Sequence, residues 1–264
     1  MAAIPYFREA GSGPGVVCLH ANSSSSSQWR PLMETLAPDH HVFAVDSYGS
    51  GRSPAWPFER RLWLADEAAL AEPVFERAGH PFALVGHSYG GAIALIAALA
   101  APRRVQAMAL YEPTLFSLID AHSPPPNDAD GIRGAAAAAL PALAVGDRAG
   151  AAREFVDFWM GAGSWDAMGE SRQAPILASI DHLPGWGHAL FHEPTPIGRF
   201  AELDVPILYL LGKRSPMSSR GVAKLLIPVL PRVEVVEFED LGHMGPVTHP
   251  DLVNRAIAGF LERS

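Results

Sequence analysis

Cysteine is nearly absent. The 264-residue chain has one, Cys18, inside an apolar run, so no disulfide can form within the chain. That usage suits a reducing compartment and makes Cys18 a small buried hydrophobe. Cationic residues are also scarce. Lys and Arg number 20 against 28 Asp and Glu, a formal net charge of -8, and they form no stripe. A nucleic-acid partner is therefore not expected. No run of about 18 apolar residues occurs, so no membrane span is expected. The N-terminus lacks a basic segment followed by an apolar core, so no signal peptide is expected and the expectation is a cytoplasmic protein. Metal patterns are missing as well: there is no H-E-x-x-H, no cysteine pair and no histidine cluster. No cofactor is implied.

What is present is apolar material, 48% of the chain, enough for one domain with a full core plus an inserted subdomain. Short apolar runs alternate with helical patterns. Strands are expected over 4–8, 15–20, 41–46, 82–85 and 105–111, then over 205–211 and 233–238. Helices are expected over 28–36, 62–78 and 91–101, then near 218–229 and 252–261. The loop Ser47-Tyr-Gly-Ser-Gly-Arg-Ser-Pro54 contains G-x-G but lacks the third glycine and helix start of a dinucleotide site. Between residues 116 and 200 the alternation stops, and three of the six tryptophans, Trp159, Trp165 and Trp186, fall there. That segment reads as a helical cap inserted into a core made of 1–115 and 201–264. The fold class is α/β, a mostly parallel sheet with helices on both faces. In such sheets ligands bind at the carboxyl ends of the strands.

Gly86-His-Ser-Tyr-Gly90 follows an apolar strand and precedes an alanine- and leucine-rich helix. A serine in G-x-S-x-G between strand and helix has the form of a nucleophile elbow, with Ser88 as nucleophile. A serine hydroxyl needs a base within hydrogen-bond reach. His243, in the last strand–helix loop, fits the chain order serine, acid, histidine. His20 and His87 read as loop-stabilising, and His182, His188 and His192 fall in the insertion.

Four segments in this order resemble the α/β-hydrolase superfamily: Leu19-His20-Ala21-Asn22, Asp46–Ser53, Gly86–Gly91 and Leu241–Met244. The resemblance covers nearly the whole chain, and it implies a nucleophilic Ser88, a general base His243 and the cap. It also implies an oxyanion hole from the backbone amides of Tyr89 and, by motif position, Asn22. Members with an aspartate at the elbow, dehalogenases and epoxide hydrolases, are excluded by Ser88. The family's usual acid after the seventh strand is missing: Gly212-Lys-Arg-Ser215 has serine at that position. Some members take the acid from the preceding strand end, which here is Glu112; Asp240 is the weaker alternative, and Asp46 organises its own loop. Phe116, Trp159, Trp186 and Met244 are the expected lining of an apolar pocket under the cap.

The expected function is hydrolysis of a small to medium, largely apolar ester. Carbon–carbon bond hydrolysis or perhydrolysis at the same serine is the enzymatic alternative. A binding protein that keeps the fold without catalysis is the alternative from another class. It gains weight unless Glu112 reaches His243.

Overall fold

The computed structural model describes residues 3–264. Seven strands form one sheet in the order β1-β3-β2-β4-β5-β6-β7. They are β1 (Phe7–Ala10), β2 (Gly15–Leu19), β3 (His41–Val45), β4 (Phe82–His87), β5 (Val105–Tyr111), β6 (Ile207–Gly212) and β7 (Val233–Phe238). Only β1 is antiparallel, pairing with β3 at one edge. The others run parallel. Strands with both faces covered cannot alternate apolar and polar residues, so β2, β4 and β6 are buried throughout.

The two faces have separate cores. Val16, Cys18, Ala83, Val85, Ala107 and Ala109 pack with α1 (Arg30–Leu36) and α12 (Pro250–Leu261). Val17, Leu19, Leu84, Met108 and Leu110 pack with α2 (Leu64–Ala78) and α3 (Tyr89–Ala100). α3 is buried in this second core from Tyr89 to Ala98, which is why its sequence has no polar face.

The cap is inserted between β5 and β6. Its helices are α4 (Phe116–His122), α5 (Asp130–Ala144), α6 (Arg148–Met160), α7 (Ser164–Ala167), α8 (Glu170–Ser179) and α9 (Leu183–Phe191). Ile132, Ala139, Val156, Trp159 and Trp186 of the cap are continuous with the α2–α3 core. α10 (Met217–Leu226) and α11 (Gly245–Thr248) complete the chain. Among the described residues no helix is long and apolar enough to cross a membrane.

The expected elements all form, with shifts at their ends. The helix expected over 28–36 is a 3-10 turn, Ser26–Trp29, followed by α1. The first strand lies later than expected, at Phe7–Ala10, because its pairing with β3 sets its limits. α7 and α8 carried no sequence signal. α8 contains Pro175 and buries only Ser179, so no apolar stripe marks it.

The turn from β4 to α3 is sterically closed. A Cβ on Gly86 would stand 2.6 Å from the Gly91 Cα, and one on Gly90 would fall onto the Leu19 carbonyl. Backbone cannot yield as a side chain can. Gly90→Ala is expected to cost about 1–3 kcal/mol, read as a fall in the urea midpoint. Gly134→Ala, in α5 with no atom near the new methyl, is expected to raise it slightly by its better helix propensity.

Candidate active site

Five strand ends supply the site. Ser88 directly follows β4, Glu112 follows β5, Ser215 follows β6 and His243 follows β7; Asn22 lies in the loop after β2. The parallel sheet brings these carboxyl ends to one edge.

Ser88 has φ 55° and ψ -115°. Serine at positive φ is strained by about 1–3 kcal/mol. Three non-glycine residues among those described have positive φ, namely Ser23, Ser88 and Glu112, and all three belong to these loops. The strain at Ser88 follows from a turn that must pass directly from strand to helix.

The Ser88 hydroxyl lies 2.8 Å from His243 Nε2. His243 Nδ1 lies 2.7 Å from Glu112 Oε2. Both partners of that second pair are almost fully buried, at 2% and 1% side-chain exposure. The hydrogen-bond inventory sets the tautomer. Glu112 Oε1 accepts from the Gly212 N–H at 2.7 Å and from the Ser215 hydroxyl at 2.6 Å. Oε2 is then left to accept from His243 Nδ1–H, so in the neutral ring Nε2 is free to accept the Ser88 proton. Ser219, fully buried, adds its hydroxyl 3.2 Å from Nδ1. Thus Ser215, at the position where the family places an aspartate, donates to the carboxylate that β5 supplies. Asp240 pairs with Arg214 on the surface, and the imidazole's ion-pair partner is Glu112.

The surrounding polar groups hold the loops. His87 Nε2–H donates to the His243 carbonyl at 2.8 Å. Burial first, then the neighbouring His243, pushes the His87 imidazole well below its usual range, so it serves as a neutral strut. His20 Nδ1–H donates to the Ala21 carbonyl and Nε2 accepts from the Ser47 N–H. Asp46 accepts from the Ser26 and Arg52 N–H groups, so it ties the serine-rich loop to its own.

Tyr89 is the first residue of α3, so its N–H has no acceptor within the helix. Asn22 borders the same cavity as Ser88.

The model of the alpha/beta hydrolase fold family matches residues 14–250. The chain belongs to this family. It is 27% identical over 266 residues to a pimeloyl-[acyl-carrier protein] methyl ester esterase of Aeromonas hydrophila subsp. hydrophila, spanning 95% of this chain and 96% of that protein. An alpha/beta hydrolase of Sphaerobacter thermophilus superposes with TM-score 0.75 at 27% identity, over 97% and 96% of the two chains. The esterase RhEst1 of Rhodococcus sp. superposes with TM-score 0.75 at 22% identity, over 99% of each chain, and shows the fold alone.

A cavity of about 430 Å³ opens beside Ser88 and His243. Phe116, Trp159 and Met244 line it, together with Phe155, Val156, Ile176, Leu183 and Leu190. Trp186 does not. Its ring is 1% exposed and packs toward Tyr89 and His182, in the seam between cap and α3. His182, His188 and His192 do not line it either: His188 packs between Trp63 and His192. Trp159 has a closer relation to the site than expected. Its ring stacks on the His243 imidazole with centroids 4.0 Å apart and planes at 26°. The serine run 23–25, Ser27, Gln28 and Thr114 form the polar side of the cavity, and no sequence signal marked Thr114.

Glu67 of α2 is buried beneath the elbow. It accepts from the Tyr48 N–H and the Tyr89 hydroxyl, each at 3.0 Å. Burial pushes its carboxyl up to about 8 from an ordinary 4.5. Between these values the folded state holds a proton that the unfolded state has lost. Stability from this group is therefore full below pH 4.5 and falls as pH rises toward about 8. Glu67→Gln, which resembles the protonated form, should flatten the fall of the denaturation midpoint across that window. An unchanged slope would show that Glu67 folds ionised.

Proposed function

We propose that this chain is a serine hydrolase that cleaves a small to medium, largely apolar ester through an acyl-enzyme. The observation that carries the reading is the continuous relay Ser88–His243–Glu112, with contacts of 2.8 and 2.7 Å. Family membership supports hydrolase chemistry, and the methyl ester esterase relative supports an ester as the bond cleaved. The contact between Glu112 and His243 also weighs against a receptor that has lost catalysis. In this proposal residues 1–115 and 201–264 act as the catalytic core and 116–200 as the cap.

Ser88 Oγ attacks the ester carbonyl as its proton passes to His243 Nε2. The resulting imidazolium is held by Glu112, which also keeps Nδ1 protonated and the ring oriented. The backbone N–H groups of Asn22 and Tyr89 donate to the tetrahedral oxyanion, and the N-terminus of α3 favours that charge. The alkoxide leaves as an alcohol with the proton from Nε2. Water, deprotonated by the same nitrogen, then attacks the acyl-serine; the acyl–Oγ bond breaks, Nε2 returns the proton to Ser88 Oγ, and the acid is released. The acyl part is received by the apolar wall of Phe116, Phe155, Val156 and Leu190. The Trp159 face over the imidazole favours its charged form and excludes water from it.

Nitrophenyl ester turnover and fluorophosphonate labelling test this directly. Ser88→Ala should abolish labelling and lower kcat by roughly 10⁴–10⁶-fold; undiminished turnover would refute the mechanism. Glu112→Gln should lower kcat by roughly 10²–10⁴-fold with KM little changed, because the amide no longer selects the Nδ1–H tautomer. Trp159→Leu should lower kcat several-fold more than Trp159→Phe, which keeps an aromatic face over His243; equal losses would leave only a packing role for Trp159.

A further inference from the structure

Four arginines lie on the cap helices: Arg133, Arg148, Arg153 and Arg172. Three are neutralised. Arg133 pairs with Asp120 at 2.7 Å, Arg148 with Asp181, and Arg153 with Asp166 at 2.7 Å. Arg172, on α8, has no ion pair and no side-chain hydrogen bond among the described residues. It is also the one of the four that borders the cavity beside Ser88. The residues bordering that cavity include no aspartate, glutamate or lysine, and His243 is the only other ionisable one.

Arg172 is exposed, so its guanidinium stands where the cavity meets solvent. From the same segment Met168, Pro175 and Ile176 add apolar surface to the cavity wall. A substrate that reaches from Ser88 to this part of the wall therefore meets a single unpaired cation. The protein as a whole has a net charge of -8, which does nothing to attract an anion; only a local cation can select one. A guanidinium presents a planar fork of donors that matches a carboxylate in two parallel hydrogen bonds.

We propose that Arg172 forms an anion subsite at the mouth of the cavity and selects esters bearing a remote carboxylate on an apolar spacer. This rests on the serine-hydrolase reading and narrows it to half-esters of dicarboxylic acids and molecules of similar form. Recognition acts on binding, since the charge is remote from the reacting carbonyl and is the same in ground and transition states.

The test compares monomethyl esters of straight-chain dicarboxylic acids with methyl esters of monocarboxylic acids of matched length. In the wild type the half-esters should have roughly three- to five-fold higher kcat/KM at low salt, the scale of one ion pair at an exposed site. Arg172→Ala should remove that advantage through KM, with kcat and the neutral esters unchanged. Arg172→Lys should restore part of it, and Arg172→Glu should turn the preference against the half-esters. Equal wild-type rates for both series, or an Arg172→Ala loss shared by both, would overturn the proposal. Calorimetry on Ser88→Ala separates the two readings. If the wild type turns over no ester, the hydrolase reading fails, and half-ester binding that weakens roughly three- to five-fold on adding Arg172→Ala still supports the subsite. Binding indifferent to Arg172 sinks it.

Discussion

A buried carboxylate must be surrounded by donors, and Glu112 imposes that demand on this molecule. It is fully buried, and its two oxygens collect a backbone N–H, a serine hydroxyl and an imidazole N–H. Losing one of these hydrogen bonds leaves part of a buried carboxylate unsatisfied, at a cost of about 1–3 kcal/mol. The three donors come from the ends of β6 and β7, so the carboxylate at the end of β5 holds three strand ends in one arrangement. The positive φ at Glu112 is the backbone consequence. The chain turns sharply after Tyr111 so that the side chain reaches across β6 toward the loop after β7.

The same demand accounts for the histidines and for Tyr111. His87 is buried, neutral, and spends its N–H on the carbonyl of His243. The Tyr111 hydroxyl donates to the Gly242 carbonyl at 2.7 Å. Two side chains from β4 and β5 thus grip the backbone of the loop that carries His243. An imidazole held at ring and backbone together loses little freedom on reaction, the structural form of preorganisation.

The cap is part of this arrangement and not merely a cover. Its core merges with the core on the α2–α3 face, and Trp159 reaches from α6 to stack on His243. Gly49, in the loop after β3, lies so close to the His182 side chain of the cap that a Cβ there would force His182 to move. Cap and strand loops therefore meet at two places, and residues from both line the cavity.

Much of this was legible in the residues. The alternation of apolar runs and helical patterns determined the parallel sheet, since strands buried on both faces must be apolar throughout. The spacing of Gly86, Ser88 and Gly90 determined the elbow, because only glycine tolerates that approach to the backbone of Leu19. The order of Ser88 and His243 along the chain marked the proposed nucleophile and base. What sequence could not decide was contact between distant residues. The serine at position 215 looked like a missing acid; tertiary structure made it a donor to Glu112, because β6 lies between β5 and β7. Trp159 and Trp186 were indistinguishable as cap tryptophans. Their helix placements turned one onto His243 and buried the other against Tyr89. Arg172 carried no signal at all, since a free arginine differs from a paired one only in which carboxylates the fold brings near. Local patterns record what a residue can do; which partner it meets is set by strand order and helix placement, and these are properties of the whole chain.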